Sequence, residues 1–106
     1  MKGKHSTILV TCPDKGAARA LARLLVQSKL AACAQLLDIE SIYRWEGTVH
    51  EEDEVLLIIK SKTELFDQLQ IAITENHSYD VPQIVQLPIT DGLPAYLNWI
   101  DEQTTA

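Results

Sequence analysis

The feature that most restricts the fold of this chain is the run of five apolar residues at positions 55–59, Val-Leu-Leu-Ile-Ile. Successive side chains of a strand point to opposite faces, so this run predicts a strand that is apolar on both faces. Helices packed on one side of a sheet cover only one of those faces. The sequence therefore requires a second covering surface.

Composition limits the size and the partners of the protein. The 106 residues include 15 acidic and 9 basic side chains, for a net charge of −6. This length is enough for one hydrophobic core, so we expect a single domain over residues 1–106. An acidic protein repels phosphate, and we expect no nucleic-acid partner.

The chain offers no apolar run of membrane-spanning length, so no membrane partner is expected. The apolar stretch near the N-terminus is too short for the core of a secretion signal. The two cysteines, Cys12 and Cys33, lack CxxC spacing and are predicted to be reduced thiols. Together these features predict a cytoplasmic location.

The first half of the chain predicts a strand, a helix and a long hairpin. Residues 6–12 form a β-branched run that ends at Pro13, and Asp14 stands where a helix N-cap belongs. The helix at 15–28 is predicted to bury Ala17, Leu21, Leu24, Leu25 and Ser28. In the following strand Leu37, Ile39, Tyr43 and Trp45 share one face, and the adjacent Leu36 and Leu37 indicate a bulge or a change of face.

The second half predicts a return strand, a helix, an edge strand and a final helix. Gly47 allows the turn at 46–48, and Ser61 with Glu64 matches a capping box. Helical spacing then relates Leu65, Phe66, Leu69, Ala72 and Ile73. Residues 75–82 read as a loop, Pro88 favours a sheet edge, and Pro94 suits a first helical turn.

The resulting order predicts an α+β fold, a ferredoxin-like split β-α-β-β-α-β sandwich with a long hairpin and a C-terminal helix. Ile84 and Val85 repeat the lack of alternation seen at 55–59, and Tyr43 and Trp45 lie near the hairpin tip. Aromatic side chains of this kind gain most when they are buried at an interface. We therefore expect the uncovered face to be buried by another subunit, with Trp45 anchoring the assembly.

Five segments together resemble the CutA family of divalent-cation tolerance proteins. They are KLAAC (29–33), YRWEG (43–47), EVLLIIK (54–60), HSYDVPQI (77–84) and LPITDGLPAYLNWI (87–100). Their order and spacing match along nearly the whole chain, which makes the combination specific. The resemblance implies a homotrimer with interlocking hairpins and a role in tolerance of copper and other divalent metal ions.

The resemblance fails at the positions implicated in copper binding. By spacing, the family's Cys, His and Glu correspond here to Val10, Asn76 and Gln83. An apolar chain and two amides are poor copper ligands, so we expect only weak binding of copper or another divalent cation and no obligatory cofactor. Cys12 points to the same side as Val10 if the strand stays regular.

Two groups of polar residues are candidate metal ligands. His77 is the best single candidate, because imidazole suits copper, zinc and nickel. The alternative is a loop histidine hydrogen-bonded to the backbone. His50 with the acidic residues at 51–53 is a second group, although neighbours on a strand face opposite sides and a solvated charged edge explains it better.

Aromatic residues suggest a small-molecule cleft between subunits. Its candidate lining is Tyr43, Trp45, Tyr79, Tyr96 and Trp99. Lys60 is placed to meet an anion there or to pair with a carboxylate such as Asp91. The alternative is that these aromatic residues pack the trimer.

The motifs of common enzyme classes are missing from the sequence, which contains no GxSxG, Walker A or HExxH pattern, so we expect no enzymatic activity. A trimeric small-ligand sensor like the PII-type signalling proteins is the second hypothesis, and an enzyme using the same cleft is the third.

Overall fold

The computed structural model describes residues 3–105, and these form a four-stranded sheet with three α-helices. The elements are β1 (His5–Cys12), α1 (Lys15–Gln27), β2 (Cys33–Trp45), β3 (Thr48–Lys62), α2 (Phe66–Glu75), β4 (Ile84–Pro88) and α3 (Pro94–Gln103). A short 3-10 turn, Thr63–Leu65, leads into α2. This order confirms the predicted split β-α-β-β-α-β fold with a C-terminal helix.

The sheet has the strand order β2-β3-β1-β4, and all pairs are antiparallel. Every residue of β2 pairs with one residue of β3, from Cys33 opposite Lys60 to Trp45 opposite Thr48. The predicted bulge at Leu36 and Leu37 is therefore wrong, because the pairing continues through both residues without an insertion. β4 is an edge strand, as Pro88 predicts.

A two-residue turn closes the long hairpin. Glu46 and Gly47 both have positive φ, 50° and 79°, which is the backbone twist that a tight antiparallel hairpin needs. Positive φ is readily adopted by glycine and is unusual for glutamate. The turn brings Trp45 and Thr48 into register, so it fixes which side chains of the hairpin share a face.

The hydrophobic core lies between one sheet face and helices α1 and α2. Alternate strand residues supply the sheet side of it, and these are fully buried: Ile8, Val10, Leu57 and Ile59. Leu65, Leu69 and Ile73 cover them from the 3-10 turn and α2, which confirms the predicted face of that segment.

Helix α1 buries a face shifted from the predicted one. The N-cap is confirmed, because the Asp14 carboxylate accepts a hydrogen bond from the Ala17 amide at 2.8 Å. The buried residues are Ala18, Leu21, Ala22 and Leu25. Ala17 and Leu24 are exposed. The prediction is wrong there because two small alanines, rather than the larger Leu24, complete the stripe.

The predicted capping box at Ser61 and Glu64 is also wrong. Ser61 is fully buried within β3, opposite the equally buried Ser6, and its hydroxyl donates to the Leu30 carbonyl at 2.6 Å. A buried hydroxyl needs such a partner, and this requirement holds Ser61 in the strand. No side chain caps α2 at its first residue, Phe66.

Within residues 3–105, α3 covers the second sheet face at one end and the rest of that face is uncovered. His5 Nε2 donates to the Asp101 carboxylate at 2.8 Å, and Lys62 donates to the Thr105 carbonyl at 3.0 Å. His5 and Lys62 are register partners whose side chains alternate with the buried Ser6 and Ser61. Helix α3 therefore packs on the face opposite to α1 and α2.

The remainder of this second face, called here the open face, carries cross-strand rows of apolar side chains. One row joins Leu9 to Ile58 and Val85, and another joins Leu37 to Leu56. Leu37 is 53% exposed and Val85 42%. The single chain thus leaves uncovered the face that the apolar run predicts.

No helix among residues 3–105 has the length and apolar character needed to cross a membrane.

Candidate functional site

A cleft of about 670 Å³ lies on the open face where the hairpin meets the loop that precedes β4. Its walls include aromatic, acidic and amide side chains: Tyr43, Trp45, Glu54, Tyr79, Asp80 and Gln83. The strand register places Tyr43 and Trp45 on one side of β2, and Glu54 lies opposite Ile39 on that same side. The long hairpin therefore supplies one wall and the loop supplies the other.

His77 fastens the loop to β1. Its Nε2 lies 2.8 Å from the Thr11 carbonyl oxygen, and its Nδ1 lies 3.1 Å from the Tyr79 amide nitrogen. A carbonyl can only accept and an amide N–H can only donate, so Nε2 carries the proton and Nδ1 accepts. Both ring nitrogens are occupied by backbone groups.

These hydrogen bonds compete with the predicted role of His77 as a metal ligand. A metal ion binds the lone pair of a neutral imidazole nitrogen. Here the ion would have to displace the Tyr79 amide from Nδ1, or both the proton and the Thr11 carbonyl from Nε2. The structure thus shows the alternative interpretation, a loop histidine bonded to backbone, and metal binding by His77 remains a prediction.

Tyr79 is held by His77 on one side and by Glu54 on the other. The His77 and Tyr79 rings lie 4.7 Å apart, and the Tyr79 hydroxyl donates to Glu54 Oε2 at 2.8 Å. Burial, together with the hydrogen bond to Glu54 and its negative charge, raises the pKa of Tyr79 above its usual range. Tyr79 is therefore a neutral donor throughout the physiological range.

Tyr43 forms a matching pair on the hairpin. Its hydroxyl donates to Glu52, and this hydrogen bond raises the pKa of Tyr43 to about 12. Its ring stacks on His50 at 5.4 Å. Of the predicted group at 50–53, His50 and Glu52 thus share a face with Tyr43, whereas Glu51 and Asp53 are exposed and alternate with them along β3.

The other predicted ligand residues do not line this cleft. Lys60 donates to the Gln35 side chain at 3.2 Å, and Asp91 accepts from the Gly92 amide at 2.9 Å. Residues 3–105 contain no ion pair between Lys60 and Asp91. Of the seven candidates, the cleft brings together only Tyr43, Trp45 and Tyr79.

Tyr96 and Trp99 belong to a separate cluster on α3. Their rings stack at 5.7 Å, and the Tyr96 hydroxyl lies 3.8 Å from the Cys33 sulfur. Cys33 begins β2 opposite Lys60, whereas Trp45 ends that strand. The predicted aromatic set is therefore divided between the two ends of the hairpin.

Sequence reasoning missed Glu54 and Asp80 as lining residues. Glu54 opens the EVLLIIK segment, and its alternation with the buried Val55 was available as a signal that it faces the open side. Asp80 could not be placed in the same way, because its position depends on the loop conformation that His77 imposes.

The positions implicated in copper binding contain no convergent ligand set. Val10 is fully buried, and the Asn76 amide nitrogen donates to the Ala72 carbonyl at 2.8 Å. Within residues 3–105 no group of three or more His, Cys, Asp or Glu side chains is placed to hold a metal ion. Strand β1 stays regular through Cys12, so Cys12 does lie on the same side as Val10.

Cys12 is nevertheless a poor ligand in this environment. Its side chain is 1% exposed. Burial, reinforced by the negative charges of Glu54 and Asp14, raises the pKa of the Cys12 thiol to about 11. Cys12 therefore stays protonated at neutral pH. Because the thiolate is the form that binds metals, the protonated thiol is a poor ligand.

The fold and the cleft define a class, a ferredoxin-like α+β domain with an extended hairpin and an apolar sheet face left open in the single chain. Residues 6–103 match the model of the CutA1 divalent ion tolerance protein family, and the chain belongs to this family. The family predicted from the sequence motifs is confirmed.

Relatives from distant organisms share the sequence and the fold. The chain is 43% identical over 101 residues to the divalent-cation tolerance protein CutA of Thermus thermophilus, covering 94% of this chain and 98% of that protein. It is 45% identical over 98 residues to the chloroplastic CutA protein of Arabidopsis thaliana, covering 92% of this chain and 54% of that protein. The solved structure of the periplasmic divalent cation tolerance protein CutA from Archaeoglobus fulgidus superposes with a TM-score of 0.92 at 36% identity, covering 93% and 97% of the two chains.

The prediction of a cytoplasmic location is wrong. The Arabidopsis relative is described as chloroplastic and the Archaeoglobus relative as periplasmic, so membership of the family does not carry a cytoplasmic location. The prediction relies on cysteine spacing and on a short apolar stretch. A buried, protonated thiol such as Cys12 is compatible with any of these compartments.

Cys12 predicts a specific alkaline loss of stability. The folded pKa of about 11 exceeds the ordinary value of 9.0, so folding favours the neutral thiol. This contribution is complete below pH 9 and is lost as the pH rises through about 11. Chemical denaturation across this window should show a smaller loss for Cys12→Ala than for the wild type. Tyr43 and Tyr79 titrate in both proteins, and equal losses would contradict the assigned environment of Cys12.

Proposed function

We propose that the protein acts in divalent-cation tolerance as a homotrimer without enzymatic activity, holding divalent cations weakly. The observation that carries the assembly is the open face. Leu37, Val85 and Leu87 are 53%, 42% and 47% exposed. Leu37 and Val85 belong to apolar rows that cross the sheet, and Leu87 follows Val85 on the same side of β4. Contiguous exposed apolar surface of this kind is typical of protein–protein contacts.

The hairpin extends this surface beyond the body of the domain. The chain measures 44 Å along its longest axis against 27 and 22 Å along the others. Tyr43 and Trp45 lie near the tip, 39% and 46% exposed. Interlocking hairpins of neighbouring subunits would bury these rings together with the apolar rows, as the family resemblance implies.

The chemistry of the chain supports weak rather than tight metal binding. The net charge of −6 attracts cations in general. Tight copper binding needs convergent soft or imidazole ligands, and His77 is already bonded through both ring nitrogens while Cys12 is protonated. We therefore propose that exposed carboxylates bind metal ions weakly and that the protein has no obligatory metal cofactor.

A second candidate function is that of a small-ligand sensor that, like the PII-type trimers, binds its ligand in a cleft between subunits. The cleft of about 670 Å³ favours it, because its size and mixed aromatic and polar lining suit a small molecule.

Truncation of Trp45 tests the proposed assembly. If Trp45 is an interface anchor, Trp45→Ala should cost roughly 2–4 kcal/mol for each buried ring and shift the protein towards monomer. Sedimentation over a hundredfold dilution would show dissociation that depends on concentration. Ile71→Ala is the matched control, since Ile71 is 59% exposed on α2, away from the open face. Identical sedimentation of both variants and the wild type would remove Trp45 from the interface.

Copper titration tests the proposed weak metal binding. Calorimetry on the wild type should show weak binding that changes little when Cys12 and Cys33 are both replaced by Ser. The variant Asn76→His with Gln83→Glu restores an imidazole and a carboxylate at the implicated positions, and it should bind copper at least about tenfold more tightly. Stoichiometric wild-type binding at nanomolar free copper would contradict the proposal.

A further inference from the structure

The charges of the chain are unevenly distributed along its sequence. Residues 15–37 contain four basic side chains and no acidic one, whereas the rest of the chain carries the other five basic and all 15 acidic side chains. Lys15, Arg19 and Arg23 lie on α1 at a spacing of four residues, and all three are exposed. These three residues, called here the basic stripe, form a positive surface on an otherwise acidic protein.

The stability of α1 does not account for the two arginines of the basic stripe. Like charges four residues apart on a helix repel each other and destabilise it slightly. Every charged residue of α1 is basic, so the helix itself offers no acidic neighbour. Lys15 pairs with Asp38 at 3.3 Å, but within residues 3–105 neither Arg19 nor Arg23 forms an ion pair. A feature that costs stability without a partner in the fold indicates a role outside it.

The basic stripe is accessible whether or not the open face is covered. Helix α1 packs on the core side of the sheet and turns inward Ala18, Leu21, Ala22 and Leu25. The open face is the opposite side of the same sheet. Arg23 projects from the side of α1 that points away from the buried residues. Contacts that cover the open face therefore do not reach the outer surface of α1.

An apolar groove of about 320 Å³ lies along α1 next to the basic stripe. Helix α1 contributes Ala17, Ala20 and Leu24 to one wall, and residues 76–78 form the other. Ala20 lies three residues before Arg23 and four before Leu24, so it joins the groove to the basic stripe on the helix surface. The outer surface of α1 thus offers positive charge on one side and apolar contact on the other.

The dimensions of this surface match an extended polypeptide. Residues four apart on a helix are separated by about 6 Å along its axis. Alternate side chains of an extended segment are about 6.6 Å apart and point to the same side. A segment lying along α1 would therefore place acidic side chains at alternate positions beside the basic stripe and the intervening apolar side chains in the groove.

The net charge of −6 selects against larger anionic partners. From Lys15 to Arg23 the basic stripe is about 12 Å long. Nucleic acid or an anionic membrane extends well beyond this length and meets the surrounding carboxylates. At physiological ionic strength charges act over about 8 Å, so the basic stripe dominates the field at a short segment bound on α1.

We propose that the outer surface of α1 docks an acidic peptide segment in extended form, with carboxylates paired to Arg19 and Arg23 and apolar side chains in the groove beside Leu24. The partner is a protein with an exposed segment in which acidic and apolar residues alternate. This docking is independent of metal binding, of the trimer and of the cleft on the open face, so it can fail while the proposed function stands.

The test uses a fluorescein-labelled pentapeptide of alternating glutamate and leucine, added to the full-length protein in its native assembly. Fluorescence polarisation should show saturable binding that weakens as the ionic strength rises. A pentapeptide with glutamine in place of glutamate should bind at least about fivefold more weakly, because it lacks the negative charges. A pentapeptide with serine in place of leucine should also lose at least about fivefold, because it leaves the groove empty.

Two double variants separate the basic stripe from the total charge. Arg19→Gln with Arg23→Gln should weaken binding of the glutamate–leucine peptide by at least about fivefold. Lys4→Gln with Arg44→Gln removes the same charge at exposed positions outside α1, so binding should stay within about twofold. Glutamine and arginine have similar helix propensities, so the loss of repulsion should leave the arginine variant at least as stable as the wild type.

Four results would overturn the proposal. They are no saturable binding of the glutamate–leucine peptide, equal binding of either substituted peptide, equal losses in the two double variants, and a lower melting temperature of the arginine variant, which would give the arginines a role in stability instead. Two further results would assign another occupant and overturn it as well. They are binding of phosphatidylserine vesicles in place of the peptide, and association of the protein into larger species that the arginine variant abolishes.

Discussion

The unbroken antiparallel pairing of β2 with β3 is the constraint on which the rest of the structure depends. Because each residue of β2 faces one residue of β3, the apolar run at 55–59 sends alternate side chains to both faces of the sheet. Val55, Leu57 and Ile59 enter the core under the helices, while Leu56 and Ile58 join the open face. The same register places Tyr43, Trp45 and Glu54 on one side, so the site and the uncovered surface have a common origin.

Loop position is the second determinant of the site, and it depends on His77. A histidine that donates to Thr11 and accepts from Tyr79 links the loop to a central strand of the sheet. The loop then presents Tyr79 and Asp80 to the hairpin wall. A side chain that the sequence suggests as a metal ligand thereby has a structural effect on the shape of the cleft.

The sequence predicts most of the fold because its signals are local. Proline and glycine positions, the Asp14 cap and the periodicity of α2 each act within a few residues. The errors arise where a distant partner decides. Ser61 lies in β3, where its hydroxyl donates to the Leu30 carbonyl. Leu36 and Leu37 pair with Leu57 and Leu56, so β2 continues past them without a bulge.

The site is less predictable for the same reason. Strand alternation alone places Tyr43 and Trp45 on the same face of the sheet. Tyr96 and Trp99 would reach the same cleft within one chain only if the fold brought α3 to the hairpin tip. The structure instead places Tyr96 beside Cys33, at the opposite end of β2. Within one chain the aromatic residues thus fall into two separate groups, because residue type alone does not fix position, and a role of Tyr96 and Trp99 in a cleft between subunits stays a prediction.

One chain leaves its open face uncovered, and we propose that copies of the chain cover it for one another. The most direct measurement is the mass of the wild-type protein in solution, obtained by light scattering at micromolar concentration. A homotrimer should scatter with three times the mass of one chain, with no smaller species. A protein that scatters as a single chain at every concentration while remaining folded and soluble would contradict it, because Leu37, Val85 and Leu87 would then lie permanently in water.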